Sequence, residues 1–246
     1  MKTNPAQLPH VVVLGAGFGG LTFAQNFPSH MARVTVVDRQ NHHVFQPLLY
    51  QVATAGLSAP DIAQPIRSIL RKKPNLTVVM AEVKQIDLNA RRVILDRGEL
   101  DYDFLVIALG GHTIYFGHDE WEKFAPGLKS LDDAVRLRRN MLLAYEHAEL
   151  EPDQNRRAEL MTTVVVGGGP TGVELAGTFA ELARTVLYRD FDHIDPRQAK
   201  IILVEGGPRV LATFPEDLSA SARRQLTKLG VEVRVNTKVT AIRDHV

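Results

Sequence analysis

The chain contains no cysteine, which removes structural disulfides, thiolate metal sites, catalytic thiols and dithiol redox relays together. It also lacks an excess of either charge: 29 Lys and Arg stand against 28 Asp and Glu, a formal +1. Binding a run of phosphates needs a basic surplus, so nucleic acid is not an expected partner. The clusters Arg71-Lys72-Lys73 and Arg136-Leu137-Arg138-Arg139 read as solvated faces. No segment approaches the roughly 20 apolar residues of a membrane span, and the opening Met1-Lys2-Thr3-Asn4-Pro5 has no apolar signal core. The expectation is an intracellular chain without a membrane anchor of its own. Neither a G-x-S-x-G elbow nor an H-E-x-x-H pair occurs. His42, His43, His112 and His118 do not fall at metal-ligand spacing, so no metal site is expected. What remains is ordinary globular usage, 45% hydrophobic over 246 residues, enough for one large or two modest domains.

His10-Val11-Val12-Val13-Leu14 is too short for a helix and rich in β-branched residues, as a strand covered on both faces would be. It runs into Gly15-Ala16-Gly17-Phe18-Gly19-Gly20, then a helix over Leu21 to Phe27 ended by Pro28, then a second strand, Arg33 to Asp38. This is a βαβ unit. Gly15 suits the tight turn, Gly17 a close approach of backbone to a pyrophosphate, and Gly20 the packing of helix on strand. The helix N-terminus offers free amides to phosphates, and Asp38 stands where an acid accepts from ribose hydroxyls.

The pattern returns as a strand at Thr162 to Val166, the turn Gly167-Gly168-Gly169-Pro170-Thr171-Gly172, a helix over Val173 to Leu187, and a strand at Lys200 to Glu205. A carboxylate at Glu205 favours a free ribose 2′-hydroxyl over a 2′-phosphate, so NADH is expected before NADPH. Arg209 is the nearest cation and reads as a solvated loop charge. Glu174 has two open readings: a complement to the helix dipole in the first turn, or a carboxylate aimed at the reacting rings. Strands are expected at Leu76 to Met80, Val93 to Leu95 and Phe104 to Ala108, and a helix over Leu131 to Glu149. A polar linker over Glu151 to Arg157 follows, and after Glu205 come a helix over Pro215 to Leu229 and strands at Val231 to Val235 and Val239 to Arg243. Fewer residues remain after Thr162 than two βαβαβ halves require, so the second domain reads as unfinished.

Two fingerprints on one chain resemble the flavoproteins with two dinucleotide-binding domains. Those that reduce disulfides or sulfide work through cysteines, which are absent here. The run Asn41-His42-His43-Val44-Phe45-Gln46-Pro47-Leu48-Leu49-Tyr50-Gln51-Val52-Ala53-Thr54-Ala55-Gly56 resembles a signature of the type II, non-proton-pumping NADH dehydrogenases. So do Tyr115-Phe116-Gly117-His118-Asp119-Glu120-Trp121 leading into residues 125–134, and the stretches 168–177 and 195–211.

The resemblance implies an α/β fold of two Rossmann-like, FAD- and NAD(P)-binding domains, the second inserted in the first and the C-terminal part missing. Residues 1–155 would be the FAD-binding domain with its linker, and residues 156–246 the incomplete NADH-binding domain. It implies that Gly15, Gly17, Phe18, Gly19 and Gly20 hold the FAD pyrophosphate, Asp38 with Arg39 its ribose region, and the backbone at Val83 its adenine. Ala108 and Gly110 belong to a short element beside the flavin in which Leu109 replaces the usual threonine. Gln46 and Pro47 lie near the isoalloxazine. Gly167, Gly169, Pro170, Thr171, Gly172 and Glu205 hold NADH, and Glu174 lies near both rings.

The implied activity is hydride transfer from NADH to FAD and two-electron reduction of a membrane quinone without proton pumping, with Glu174 and Gln46 as the candidate catalytic residues. A cytoplasmic protein peripheral to the inner face of the cell membrane follows. Membrane contact would come through the missing C-terminal region, and assembly would be a homodimer as in the full-length family. The alternatives are an NADH-dependent flavoprotein reductase of a small redox protein, or a nucleotide-binding chain that turns nothing over.

Overall fold

The computed structural model describes residues 8–243; the Met1 to Pro5 opening lies outside them. In chain order the elements are β1 (His10–Leu14), α1 (Phe18–Asn26), β2 (Arg33–Asp38), β3 (His42–Val44), α2 (Leu49–Ala53), α3 (Ala59–Ile62), β4 (Ala63–Pro65), α4 (Ile66–Leu70), β5 (Leu76–Met80), β6 (Val83–Asp87), β7 (Arg92–Leu95), β8 (Glu99–Asp101) and β9 (Phe104–Ile107). There follow α5 (Leu131–Leu150), α6 (Gln154–Leu160), β10 (Thr162–Val166), α7 (Pro170–Thr185), β11 (Lys200–Val204), α8 (Glu216–Lys228) and β12 (Val231–Arg234). They form two compact units, one of the described residues up to Phe45 with Ile62–His112, the other of Gln46–Asp61 with the described residues from Thr113 onward.

In the first unit a parallel sheet runs β5-β2-β1-β9. All five residues of β1 are buried, and alternate ones feed two cores, as the two-residue period of a strand requires. Val11 and Val13 pack with Leu21, Ala24, Val34, Val36 and Ile66 on one face. Val12 and Leu14 pack with Val37, Val93, Leu95 and Tyr102 on the other, where β6, β7 and β8 form an antiparallel sheet. The register pairs Leu14 with Val37 and Ile107, and Asp38 with Met80. The C-terminal strand ends therefore share one edge. At the opposite end of β1, buried His10 places Nε2 2.8 Å from the Thr35 hydroxyl, and burial, assisted by Arg33, holds its pKa below the ordinary imidazole value.

The second unit carries the parallel sheet β10-β11-β12. Helix α5 starts on a capping box: the Ser130 hydroxyl accepts from Asp133 N, and the Asp133 carboxylate accepts from Ser130 N. Its Tyr145 and Ala148 are buried with Met161, Leu182, Ala183, Leu187 and Ile194, and burial pushes the Tyr145 phenol up to about 12. The short α2 buries Leu49, Val52 and Ala53 and packs on α5 and α7. No helix among the described residues is long and apolar enough to cross a membrane.

The structure departs from the sequence expectations at several ends. Residues 239–243 form no strand: none of the described strands pairs with them, and β12 ends at Arg234. The polar linker is partly helix α6, because the Asp153 side chain accepts from Arg156 N and caps it. Both glycine-loop helices begin three residues early, at Phe18 and at Pro170, a proline whose missing N–H costs nothing in a first turn. The antiparallel β3–β4 pair and the β6 and β8 strands are short, mixed-polarity segments that gain strand structure only through their pairing.

Leu14 is fully buried between β2 and β9. Leu14→Ala is expected to cost about 2–5 kcal/mol, seen as a lower denaturant midpoint with an unchanged slope.

Candidate dinucleotide-binding sites

Each unit builds one loop, and the two are atomically alike. Gly15 N donates to Val37 O at 2.7 Å, and Gly167 N to Val204 O at 2.8 Å. Both glycines take left-handed φ values, +96° and +107°, where a side chain would be strained. A Cβ on Gly20 would overlap the Gly15 carbonyl, and a Cβ on Gly172 the Gly167 carbonyl; these are the close helix–strand approaches. A Cβ on Gly17 or Gly169 would meet nothing within 4 Å, so the backbone there faces open space, as a surface that receives a pyrophosphate must. The first amides of α1 and α7 add donors that no helix turn satisfies.

The strand-end acids secure these loops. Asp38 Oδ2 accepts from Ala16 N at 2.6 Å, and Oδ1 from Gln40 N at 2.8 Å. Glu205 Oε2 accepts from Gly168 N, and Oε1 from Gly207 N, both at 2.6 Å. A carboxylate has about four lone-pair sites, so each acid keeps acceptor capacity for ribose hydroxyls.

In the first unit Gly15, Gly17, Phe18, Gly19, Gly20, Asp38 and Arg39 lie along the C-terminal sheet edge. Ala108 joins them, donating its N–H to Leu14 O at 2.8 Å, and Gly110 follows with φ +74°. Val83 opens β6 just after the Asp38–Met80 pairing. Gly167, Gly169, Pro170, Thr171, Gly172, Glu174 and Glu205 lie in the second unit, as do Gln46 and Pro47 on a 3₁₀ turn. The Gln46 amide makes one long contact, 3.5 Å to Lys129 O.

Because α7 starts at Pro170, Glu174 stands beyond its first turn, where the dipole's influence fades. Partial burial alone raises its pKa above the ordinary glutamate value. Arg209 is not a free loop charge: its guanidinium donates to the carbonyls of Phe214 and Ala212, each at 2.8 Å. Two further residues that sequence reasoning left without a role touch the loops, His43 at Ala16 O and Leu211 at Gly168 O. Only the presence of His43 within a recognisable run could have signalled the first.

Two parallel sheets, each with a glycine loop and a strand-end acid at its C-terminal edge, define an α/β protein of twofold dinucleotide-binding architecture. The chain belongs to the pyridine nucleotide-disulphide oxidoreductase family, whose model matches residues 9–246. It is 43% identical over 243 residues to the type II NADH:quinone oxidoreductase Ndh of Mycobacterium tuberculosis, covering 97% of this chain and 52% of that protein. It is 33% identical to the external alternative NAD(P)H-ubiquinone oxidoreductase B1 of Solanum tuberosum mitochondria, covering 96% of this chain and 43% of that one. The structure of NDH2 from Plasmodium falciparum in complex with NADH superposes with a TM-score of 0.89 at 27% identity, over 96% of this chain and 49% of that chain. The chain thus spans about half the length of the curated relatives it matches.

A raised carboxyl pKa means that the folded state holds the Glu174 proton more tightly than the unfolded one, so stability falls as pH rises through the shifted value. Glu174→Gln removes that loss. Denaturation midpoints should show the variant gaining on the wild type at pH 7 relative to pH 4.

Proposed function

We propose that this chain carries the FAD- and NADH-binding machinery of a type II NADH:quinone oxidoreductase. The observation that carries the reading is the duplicated loop with a carboxylate at each strand end, together with relatives whose names state that activity. The residues fit two dinucleotides: open backbone at Gly17 and Gly169, unsatisfied amides at two helix starts, and two acids with acceptor capacity to spare. The chemistry that bound FAD would supply there is hydride acceptance from NADH and two-electron reduction of a quinone.

The protein's part is placement and proton handling. Gly15, Gly17, Phe18, Gly19 and Gly20 receive the FAD pyrophosphate, Asp38 and Arg39 its ribose region, and Val83 its adenine, with Ala108 and Gly110 beside the flavin. Gly167, Gly169, Pro170, Thr171 and Gly172 receive NADH. Glu205 repels a 2′-phosphate, while Nη1 and Nη2 of Arg209 are held on the carbonyls of Phe214 and Ala212. Gln46 and Pro47 are assigned to the flavin's surroundings by the family resemblance alone. Glu174, whose raised pKa eases protonation, supplies protons that quinone reduction consumes. No step in this sequence pumps protons. By this reading the active enzyme is a homodimer, peripheral to the inner face of the cell membrane, with quinone as its acceptor; residues 1–155 would supply its FAD portion and 156–246 its NADH portion, with residues 46–61 and 113–155 packing in the second compact unit.

One observation favours the reading of a nucleotide-binding chain without turnover. The edge strands β9 and β10 expose Phe104 and Ile107, at 62% and 61%, and Val164 and Val166, at 52% and 55%. Such edges invite association.

The visible spectrum of the purified chain before and after anaerobic NADH decides between them. A flavin band that bleaches supports the oxidoreductase; a protein that stays colourless after incubation with FAD overturns it for this chain. Glu205→Ala should narrow the preference for NADH over NADPH by about tenfold, the scale of one weakly screened charge contact, read from the two dissociation constants.

A further inference from the structure

The residue that follows the first glycine of each loop is gripped from both sides. Its N–H is taken by the strand-end acid, at Ala16 and at Gly168. In each unit the second carboxylate oxygen then caps a turn two residues on, at Gln40 or Gly207. The chain that leaves this turn comes back to the loop and closes on the carbonyl of the same residue. In the first unit His43 does this with its side chain: Nδ1 lies 3.1 Å from Ala16 O and, carrying its proton there, donates to it. The imidazole packs edge-on against Phe18, which packs edge-on against Phe45, at centroid separations of 5.2 and 5.6 Å.

In the second unit the donor is a backbone amide, Leu211 N, 2.7 Å from Gly168 O. That amide is in place only because residues 206–214 fold back sharply. Leu211 itself adopts φ +51°, a conformation a leucine does not hold unaided. Arg209 spans the bend, with Nη1 on Phe214 O and Nη2 on Ala212 O. The buried Val210 is tied by its carbonyl to the Ser219 hydroxyl at 2.6 Å.

We propose that His43 and Arg209 are positioning residues that set the two glycine loops independently, His43 by gripping the Ala16 carbonyl directly and Arg209 by holding Leu211 against the Gly168 carbonyl. A residue held at both its N–H and its C=O has the peptide plane on each side of it fixed, and the gripped carbonyls of Ala16 and Gly168 share their planes with the N–H groups of Gly17 and Gly169. Those amides are therefore presented to a pyrophosphate without an ordering cost at binding.

The first measurement is hydrogen–deuterium exchange of the ligand-free chain, which does not depend on the proposed function. Arg209→Ala should speed exchange about tenfold, the scale of one lost hydrogen bond, in peptides covering 206–214 and 167–172, and leave 15–20 unchanged. His43→Ala should do the reverse. Arg209→Lys, able to serve one of the two carbonyls, should give an intermediate rate, and His43→Asn, whose amide can donate from a similar place, should retain protection. Unchanged exchange at 167–172 in Arg209→Ala, or equal acceleration of both loops with a lowered melting temperature, would overturn the proposal.

The second measurement rests on the reading of these loops as FAD and NADH sites. Arg209→Ala should weaken NADH about tenfold with FAD retained, and His43→Ala should weaken FAD with NADH retained. Selective changes in exchange in a chain that binds neither nucleotide support the clamps while removing the functional reading.

Discussion

The structure depends on how closely a helix can approach the strand that precedes it. At Gly20 and Gly172 the separation leaves no room for a Cβ against the carbonyl of the loop's first glycine. That contact brings the start of α1 against the end of β1, and the start of α7 against the end of β10. The loop amides are thereby turned outward at the sheet edge, and the strand-end acid comes within reach of the next peptide. Widen the approach by one methyl group and the Ala16–Asp38 and Gly168–Glu205 hydrogen bonds lose their geometry, and with them the surface that a pyrophosphate would meet.

The same device is built twice with different supports. In the first unit a short helix of 9 residues carries the chain back to β2. In the second, α7 has 16 residues and is followed by 3₁₀ turns before β11 begins. Yet Gly15 and Gly167, Asp38 and Glu205, and even the turns capped at Gln40 and Gly207 make equivalent bonds. What differs is the group that closes on the loop carbonyl, an imidazole in one case and a backbone amide in the other. Two loops with separate supports can be tuned separately.

Much of this was legible in the residues. A β-branched run, a glycine turn with fixed spacing and an acid closing the next strand are short-range features, and each of the two strand–loop–helix units appears where they place it. The misread ends have short-range causes as well. Pro170 opens α7 rather than preceding it, which moves Glu174 out of the first turn, and Asp153 caps a helix inside a stretch whose polarity resembled a linker. Residues 239–243 carry three β-branched side chains, as a strand would, but pair with none of the described strands, and a strand exists only through its ladder.

The sequence by itself determined the parallel strands, the two glycine loops and their acids, because these follow from backbone sterics and from side-chain periodicity over a few residues. Only the tertiary structure decided that Gln46–Asp61 belongs with the second unit, through the packing of Leu49, Val52 and Ala53. It alone gave His43 a carbonyl to grip and turned Arg209 from a loop charge into the brace of Leu211. Those outcomes depend on which distant backbone atoms come within hydrogen-bonding reach once the strands are in register. No local pattern of residue types encodes that distance.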